Sequence, residues 1–304
     1  MRVVALTRPL DLGATLGPLR RTARDPCVRI GAAEAWRATR TPEGPATQRI
    51  RVRGREAEVQ AWGPGAGWLL GRAPALLGEE DDPTGFQPRH RLLAELARRL
   101  PGLRLTRSWA VMEALTASII EQKVPGAEAR YSYARLMRAF GDPAPGPAAG
   151  LRVPPAPDRL ARTPYEVFHR FGLERRRAEI LRRAASYARR VEECASMPPG
   201  EAAARLRALP GIGAWTAAEV VGVSHGDPDA VPVGDYHHPH MVAFALAGEE
   251  RATDERMLEL LEPYRGHRNR VLRLLLLSGI GPPRKAPRMA LNAGLGFRSK
   301  PRVH

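Results

Sequence analysis

Lysine is nearly absent from this chain of 304 residues. Lys123, Lys285 and Lys300 are the only lysines among 48 basic residues, so arginine carries almost all of a formal net charge of +16. A GC-rich genome accounts for arginine replacing lysine, but not for the excess of base over acid. Because arginine binds phosphate in a bidentate fork, that excess favours a polyanionic partner. Cysteine is scarce too. Cys27 and Cys194 stand far apart and cannot alone build a four-cysteine zinc or iron–sulfur site, nor a disulfide scaffold. No apolar run reaches the length of a membrane span. The opening MRVVALTRPLDLG has too short an apolar stretch and too early a proline for a signal peptide. These absences point to a soluble protein of a reducing, bacterial-type cytoplasm. With 43% hydrophobic residues and mixed charge, the chain has apolar material for one large or two modest domains and is not a disordered polyelectrolyte.

Texture changes near residue 90. Before it, Arg49–Val52, Glu56–Trp62 and Trp68–Leu70 are short, partly alternating and broken by Gly and Pro, which predicts an antiparallel sheet. One helix is expected within Leu10–Arg24, although Pro18 works against its continuity. The acidic stretch 78–90 reads as the connection out of this region. Beyond it, apolar residues recur every three or four positions through about ten short helices, including Trp109–Ile120, Glu128–Phe140, Arg175–Cys194, Pro199–Ala208, Ala214–Val223 and Asp235–Ala247. Residues 142–158 hold six prolines and predict an exposed, semi-extended loop between helices. The expected organisation is an α+β fold: a sheet domain over 1–90, an all-α core over 91–280 and a basic tail over 281–304.

The chemically informative segment is Leu209-Pro210-Gly211-Ile212-Gly213-Ala214-Trp215-Thr216-Ala217, set between two helical patterns. Pro210 and Gly211 stop the first helix, and Gly213 lets the backbone turn tightly before the second begins. Such a turn presents amide hydrogens to an anion, and phosphate is the natural ligand. Further on comes Val231-Pro232-Val233-Gly234-Asp235-Tyr236, with Asp235 twenty residues after Trp215. A hairpin followed at this distance by a Gly/Pro-Asp turn resembles the helix-hairpin-helix DNA glycosylase superfamily. Ala114–Val124, ending Glu121-Gln122-Lys123-Val124, is similar to that family's helix leading into a Gln-containing loop. An N-terminal sheet domain before the helical core resembles the 3-methyladenine DNA glycosylase II branch in particular.

The resemblance implies a role for each residue. Asp235 would be the catalytic carboxylate, stabilising positive charge on the sugar; by residue type alone it is equally a helix cap. Trp215 stands where lyase relatives carry a lysine nucleophile, and an indole can instead stack on a flipped, electron-poor base. Tyr236 and Gln122 would complete the base pocket. Leu209, Gly211, Ile212, Gly213 and Thr216 would grip the DNA backbone through the hairpin, with Lys123 and His237 touching phosphate. The branch often has a bulky apolar wedge where this chain has Lys123. The resemblance adds no cofactor and no catalytic metal, only a monovalent cation at hairpin carbonyls. His237, His238 and His240 are too divergent along a helix to read as a zinc site. The partner would be duplex DNA with a damaged base, bound by a monomer. The expected activity is monofunctional, hydrolytic removal of alkylated purines of the 3-methyladenine and 7-methylguanine type. Two rivals are an 8-oxoguanine-type glycosylase/lyase and a non-catalytic helix-hairpin-helix DNA-binding protein.

Overall fold

Alternation of small or branched apolar residues with arginines builds the first layer. A computed structural model describes residues 1–283. The basic tail from residue 284, with Lys285 and Lys300, lies outside the described residues. Strands β1 (Arg2–Ala5), β2 (Val28–Ile30), β3 (Glu34–Thr41), β4 (Gly44–Arg53) and β5 (Glu56–Trp62) form one antiparallel sheet in the order β1-β5-β4-β3-β2. Ala35, Ile50 and Val59 stand side by side across β3, β4 and β5 and are buried, so register follows from one face being apolar.

That face packs on helices. Val4, Ile50 and Val59 share a core with Leu115 and Ile119 of helix Val111–Glu121, Leu181 of helix Arg175–Ser186 and Val220 of helix Ala214–Ser224. The opposite face is covered by the proline-rich segment. Its Leu151 and Val153 are buried against Ala38, and Asp142–Pro143 pairs with Arg152–Val153 as a short ribbon. The expected exposed loop at 142–158 is therefore a packed cover, because a two-faced sheet needs apolar material on both sides.

Three other expectations are corrected. Trp68–Leu70 lies in helix Ala66–Leu76, not in a strand; an apolar run that short carries no periodicity to separate the two. The helix expected within Leu10–Arg24 shortens to Leu12–Leu16 plus a 3-10 turn holding Pro18. Arg175–Cys194 is likewise broken at Tyr187.

A second core joins helices Arg91–Arg99, His238–Ala247, Asp254–Leu261 and Arg268–Ser278 through Leu93, Met241, Val242, Leu261 and Leu275. The acidic connection clamps the two halves. Asp81 forms a buried ion pair with Arg270 at 2.5 Å, and Glu79 pairs with the buried Arg104. The hairpin helices Pro199–Arg207 and Ala214–Ser224 belong to the first core, while the segment after Val231 belongs to the second. Asp235 thus lies where the two helical lobes meet. No helix of the described residues is long and apolar enough to cross a membrane.

Candidate active site

The hairpin is shaped by its glycines. Gly211 has φ +95°, and a Cβ there would lie 2.5 Å from the Ile180 side chain, so both conformation and space require glycine. Ile212 turns inward and is buried, anchoring the loop. Gly213 caps the following helix without any side-chain hydrogen bond. The first-turn N–H groups therefore have no intrahelical acceptor and face outward for an anion. Because Ile212 and Thr216 are buried, they can offer a ligand only backbone.

Asp235 is held by three donors. The backbone N–H groups of His237 and His238 donate to its Oδ1 at 2.7 and 2.9 Å, and the Trp215 indole N–H donates to Oδ2 at 2.9 Å. The first two bonds fold the Asp235 side chain over the turn just before a helix that begins at His238, so the expected start at Asp235 moves by three residues. Burial works to raise the Asp235 carboxyl, but nearby His238, the two N–H groups and the indole outweigh it and hold it below the ordinary 3.8. His238 itself is buried, 3.9 Å from Oδ1, and burial pushes its imidazole below the usual range despite the pull of Asp235. With His238 neutral at pH 7, the N–H donors are what keep Asp235 ionised there.

Gln122 reaches across to the hairpin rather than lining open space: its amide donates to the Gly211 carbonyl at 3.1 Å and to the Thr216 hydroxyl at 2.9 Å. This bridge places the loop carrying Lys123 against the hairpin. Lys123 is exposed and sits at φ +53°, a conformation lysine rarely adopts. Tyr236 is 77% exposed, edge-on to His237 and His240. Leu209 is half-buried and His237 exposed.

The histidine run diverges, with His237 at the surface, His238 inside and His240 accepting from the Ala252 N–H. Among the described residues no three His, Cys, Asp or Glu side chains cluster to hold a metal. The hairpin carbonyls of Leu209 and Gly211 each accept one N–H group, from Ile212 and Gln122 respectively.

Glu219 was not singled out from the sequence, although it lies one helical turn after Trp215 on the same face. With His238, Arg273, Thr106 and Pro232 it lines a cavity of about 70 Å³ beside Asp235. Burial pushes its carboxyl up to about 7, against the pull of Arg21, with Glu121 and Asp235 reinforcing the rise. The Nδ1 of His238 has no hydrogen-bond partner among the described residues. The site therefore pairs one carboxylate held in its ionised form and bonded to an indole with a second that burial keeps at the edge of protonation.

No family model and no curated protein sequence matches the chain. Solved structures do. The 3-methyladenine DNA glycosylase from Archaeoglobus fulgidus superposes with a TM-score of 0.75 at 21% identity, over 91% of this chain and 98% of its own. MBOgg1 in complex with a low-affinity DNA ligand gives 0.73 at 16% identity, over 91% and 94%. The Clostridium acetobutylicum 8-oxoguanine glycosylase/lyase, bound to duplex DNA with cytosine opposite 8-oxoguanine, gives 0.67 at 14% identity, over 92% and 97%. With its hairpin, its five-stranded sheet and Asp235 in the cleft between the helical lobes, the chain has the fold of the helix-hairpin-helix DNA glycosylases.

Proposed function

We propose that this chain is a monofunctional DNA glycosylase that flips an alkylated purine out of duplex DNA and hydrolyses its N-glycosidic bond. The observation that carries the proposal is the Asp235 carboxylate, ionised at neutral pH and bonded to an indole at the position where a lyase would need an amine. Bond cleavage develops positive charge on the sugar, and a fixed anion in a partly desolvated cleft stabilises it. A carboxylate offers about four acceptor positions, and three are filled by N–H donors. The fourth, on Oδ2, is free to orient the attacking water. The cationic base leaves neutral with the bonding electron pair, the water oxygen bonds the sugar carbon and becomes the hydroxyl of the abasic sugar, and its released proton passes by way of Asp235 to solvent.

An N-alkylated purine is cationic and already a good leaving group, so no general acid is needed. The indole face of Trp215 attracts such a cation. Glu219, titrating near neutrality, would be drawn to its ionised form by the same charge. Phosphate would bind at the hairpin amides, and Lys123 would add a contact from the loop that Gln122 ties to them.

The test is release of base from methylated duplex by wild type and by Asp235→Asn, with borohydride trapping in parallel. A charge about 4 Å from the developing cation, at an effective dielectric constant of about 20, contributes about 4 kcal/mol. The variant should therefore lose about a thousandfold in rate while keeping DNA affinity. Equal release by both proteins would remove Asp235 from the chemistry, and a covalent borohydride adduct would replace the hydrolytic reading with a lyase one. Binding of DNA with no release from any lesion would leave a non-catalytic hairpin protein.

A further inference from the structure

A second concave site lies away from Asp235. A cavity of about 530 Å³ is enclosed by the segment 20–30, the end of helix Gly126–Phe140 and the 142–153 ribbon. Its volume falls within the range of small-molecule sites. Five arginines line it: Arg20, Arg24, Arg29, Arg138 and Arg152. Its one acidic residue is Asp25, giving a net lining charge of +4. Asp25 is already spent on the backbone N–H groups of Arg21, Cys27 and Val28.

The arginines are held without being neutralised. Arg29 donates to the Ala149 carbonyl at 2.6 Å, Arg138 to that of Arg24 at 3.1 Å and Arg152 to that of Gly141 at 2.9 Å. Each bond orients a guanidinium through a neutral partner and leaves its other N–H groups free. Arg20 and Arg24 make no side-chain hydrogen bond or ion pair among the described residues. Elsewhere in the chain arginines commonly meet carboxylates, as in Arg270–Asp81, Arg268–Asp229 and Arg205–Glu193. Five like charges around one concavity repel one another unless an anion enters.

The location separates this cavity from the DNA-facing groups. The loop holding Gln122 and Lys123 precedes helix Gly126–Phe140, whereas Arg138 lies near that helix's other end, about 18 Å along its axis. We propose that this cavity binds a compact polyphosphate, with guanidinium forks from Arg20, Arg24, Arg29, Arg138 and Arg152 gripping its phosphate oxygens. Two features favour a compact anion over a duplex backbone. The site is a hollow that a broad duplex would cover but not fill, and a triphosphate chain carries about four negative charges, matching the lining. Half-buried Ile30 and exposed Ala23 provide a small apolar wall for an attached nucleoside.

Calorimetric titration of the full chain with inorganic tripolyphosphate, ATP without magnesium, and an undamaged short duplex tests this. The expected result is saturable, one-to-one binding of tripolyphosphate, weakened at least tenfold in Arg20→Ser/Arg24→Ser, with the melting temperature and duplex affinity unchanged. Ala23→Glu, which leaves every arginine contact in place, should weaken it too, so a fold defect in the double variant cannot mimic the result. Tighter binding of ATP than of tripolyphosphate would identify a nucleotide as the source; equal binding would identify the phosphate chain alone. Absence of saturable binding, affinity unchanged in both variants, or displacement of tripolyphosphate from these arginines by the undamaged duplex would each overturn the proposal. None of these outcomes depends on base release, so the glycosylase reading stands or falls separately.

Discussion

Replacing Trp215 with phenylalanine keeps an aromatic face and removes one hydrogen-bond donor from Asp235 Oδ2. A hydrogen bond to a charged group contributes about 1.5–3 kcal/mol, so its loss should raise the Asp235 pKa by about one to two pH units from its depressed value. Two measurements read this. In single-turnover base release from methylated duplex between pH 4.5 and 8, the acid limb lies below the window for wild type. For the variant it should enter the window's lower edge. In urea denaturation, a carboxyl whose folded pKa is depressed contributes stability above its unfolded pKa, and that stability is lost as pH falls through the folded value. The variant should therefore be less stable by about 1.5–3 kcal/mol at pH 7 from this bond, and the gap should narrow below about pH 4. Any packing lost with the indole is independent of pH and shifts the whole curve. A rate ratio and a stability gap that stay constant across the range would show that the indole does not tune Asp235. The denaturation arm decides this even if the reaction is misassigned.

Three other outcomes follow from the same geometry. Gly211→Ala forces a Cβ into Ile180 at a positive φ and should cost about 2–4 kcal/mol in chemical denaturation; an unchanged midpoint would mean the hairpin repacks freely. Lys123→Ala should flatten the salt dependence of duplex affinity by about one charge, while Lys123→Gly, relieving φ +53°, should also raise stability by about 0.5–1 kcal/mol; an unaltered salt slope in both removes Lys123 from the DNA contact. Glu219 has a folded pKa raised from 4.5 to about 7, so wild-type stability should fall by up to about 3 kcal/mol as pH rises through that interval, and Glu219→Gln should abolish the slope, as urea midpoints across that range would reveal.

What was legible in the sequence was whatever is encoded locally. Pro210, Gly211 and Gly213 announce a helix-breaking turn by their own backbone preferences, and Asp235 stands at a fixed distance from it. The helices with a sustained apolar period, such as Ala214–Ser224 and Gly126–Phe140, are predicted to within two residues at each end. Trp68–Leu70 fails because three apolar residues fit a strand and a helix equally. The Gln122 bridge spans 89 and 94 residues to Gly211 and Thr216, and nothing in the loop's own sequence says that its amide points back at the hairpin. The polar cavity needs three separate segments, contributing Glu219, His238 and Arg273, and Glu219 alone had a local signal through its helical spacing from Trp215. The prolines before residue 157 agree with the lack of a helix there, while Pro157 opens helix Pro157–Arg162, and none of them says whether the loop is solvated. The apolar second face of the sheet decides that.

Bonding the amides at a helix start and carrying the proposed catalytic charge, two compatible roles that residue type allows Asp235, call for the same arrangement in three dimensions. A partly buried carboxylate awaiting a cation would ordinarily take up a proton, since burial favours its neutral form. The N–H groups of His237, just before the helix, and of His238, its first residue, oppose that by donating to Oδ1, and the second is a donor that a helix start must satisfy in any case. The indole adds a third donor at Oδ2, the oxygen that also retains a free acceptor position. Folding thus holds the anion and orders its donors before any ligand arrives, as the proposed reaction would require. In the proposed hydrolytic reaction the same reasoning accounts for tryptophan in place of lysine at position 215. An amine there would supply a nucleophile, but it would also neutralise the carboxylate, whereas a neutral N–H donor supports the charge without cancelling it.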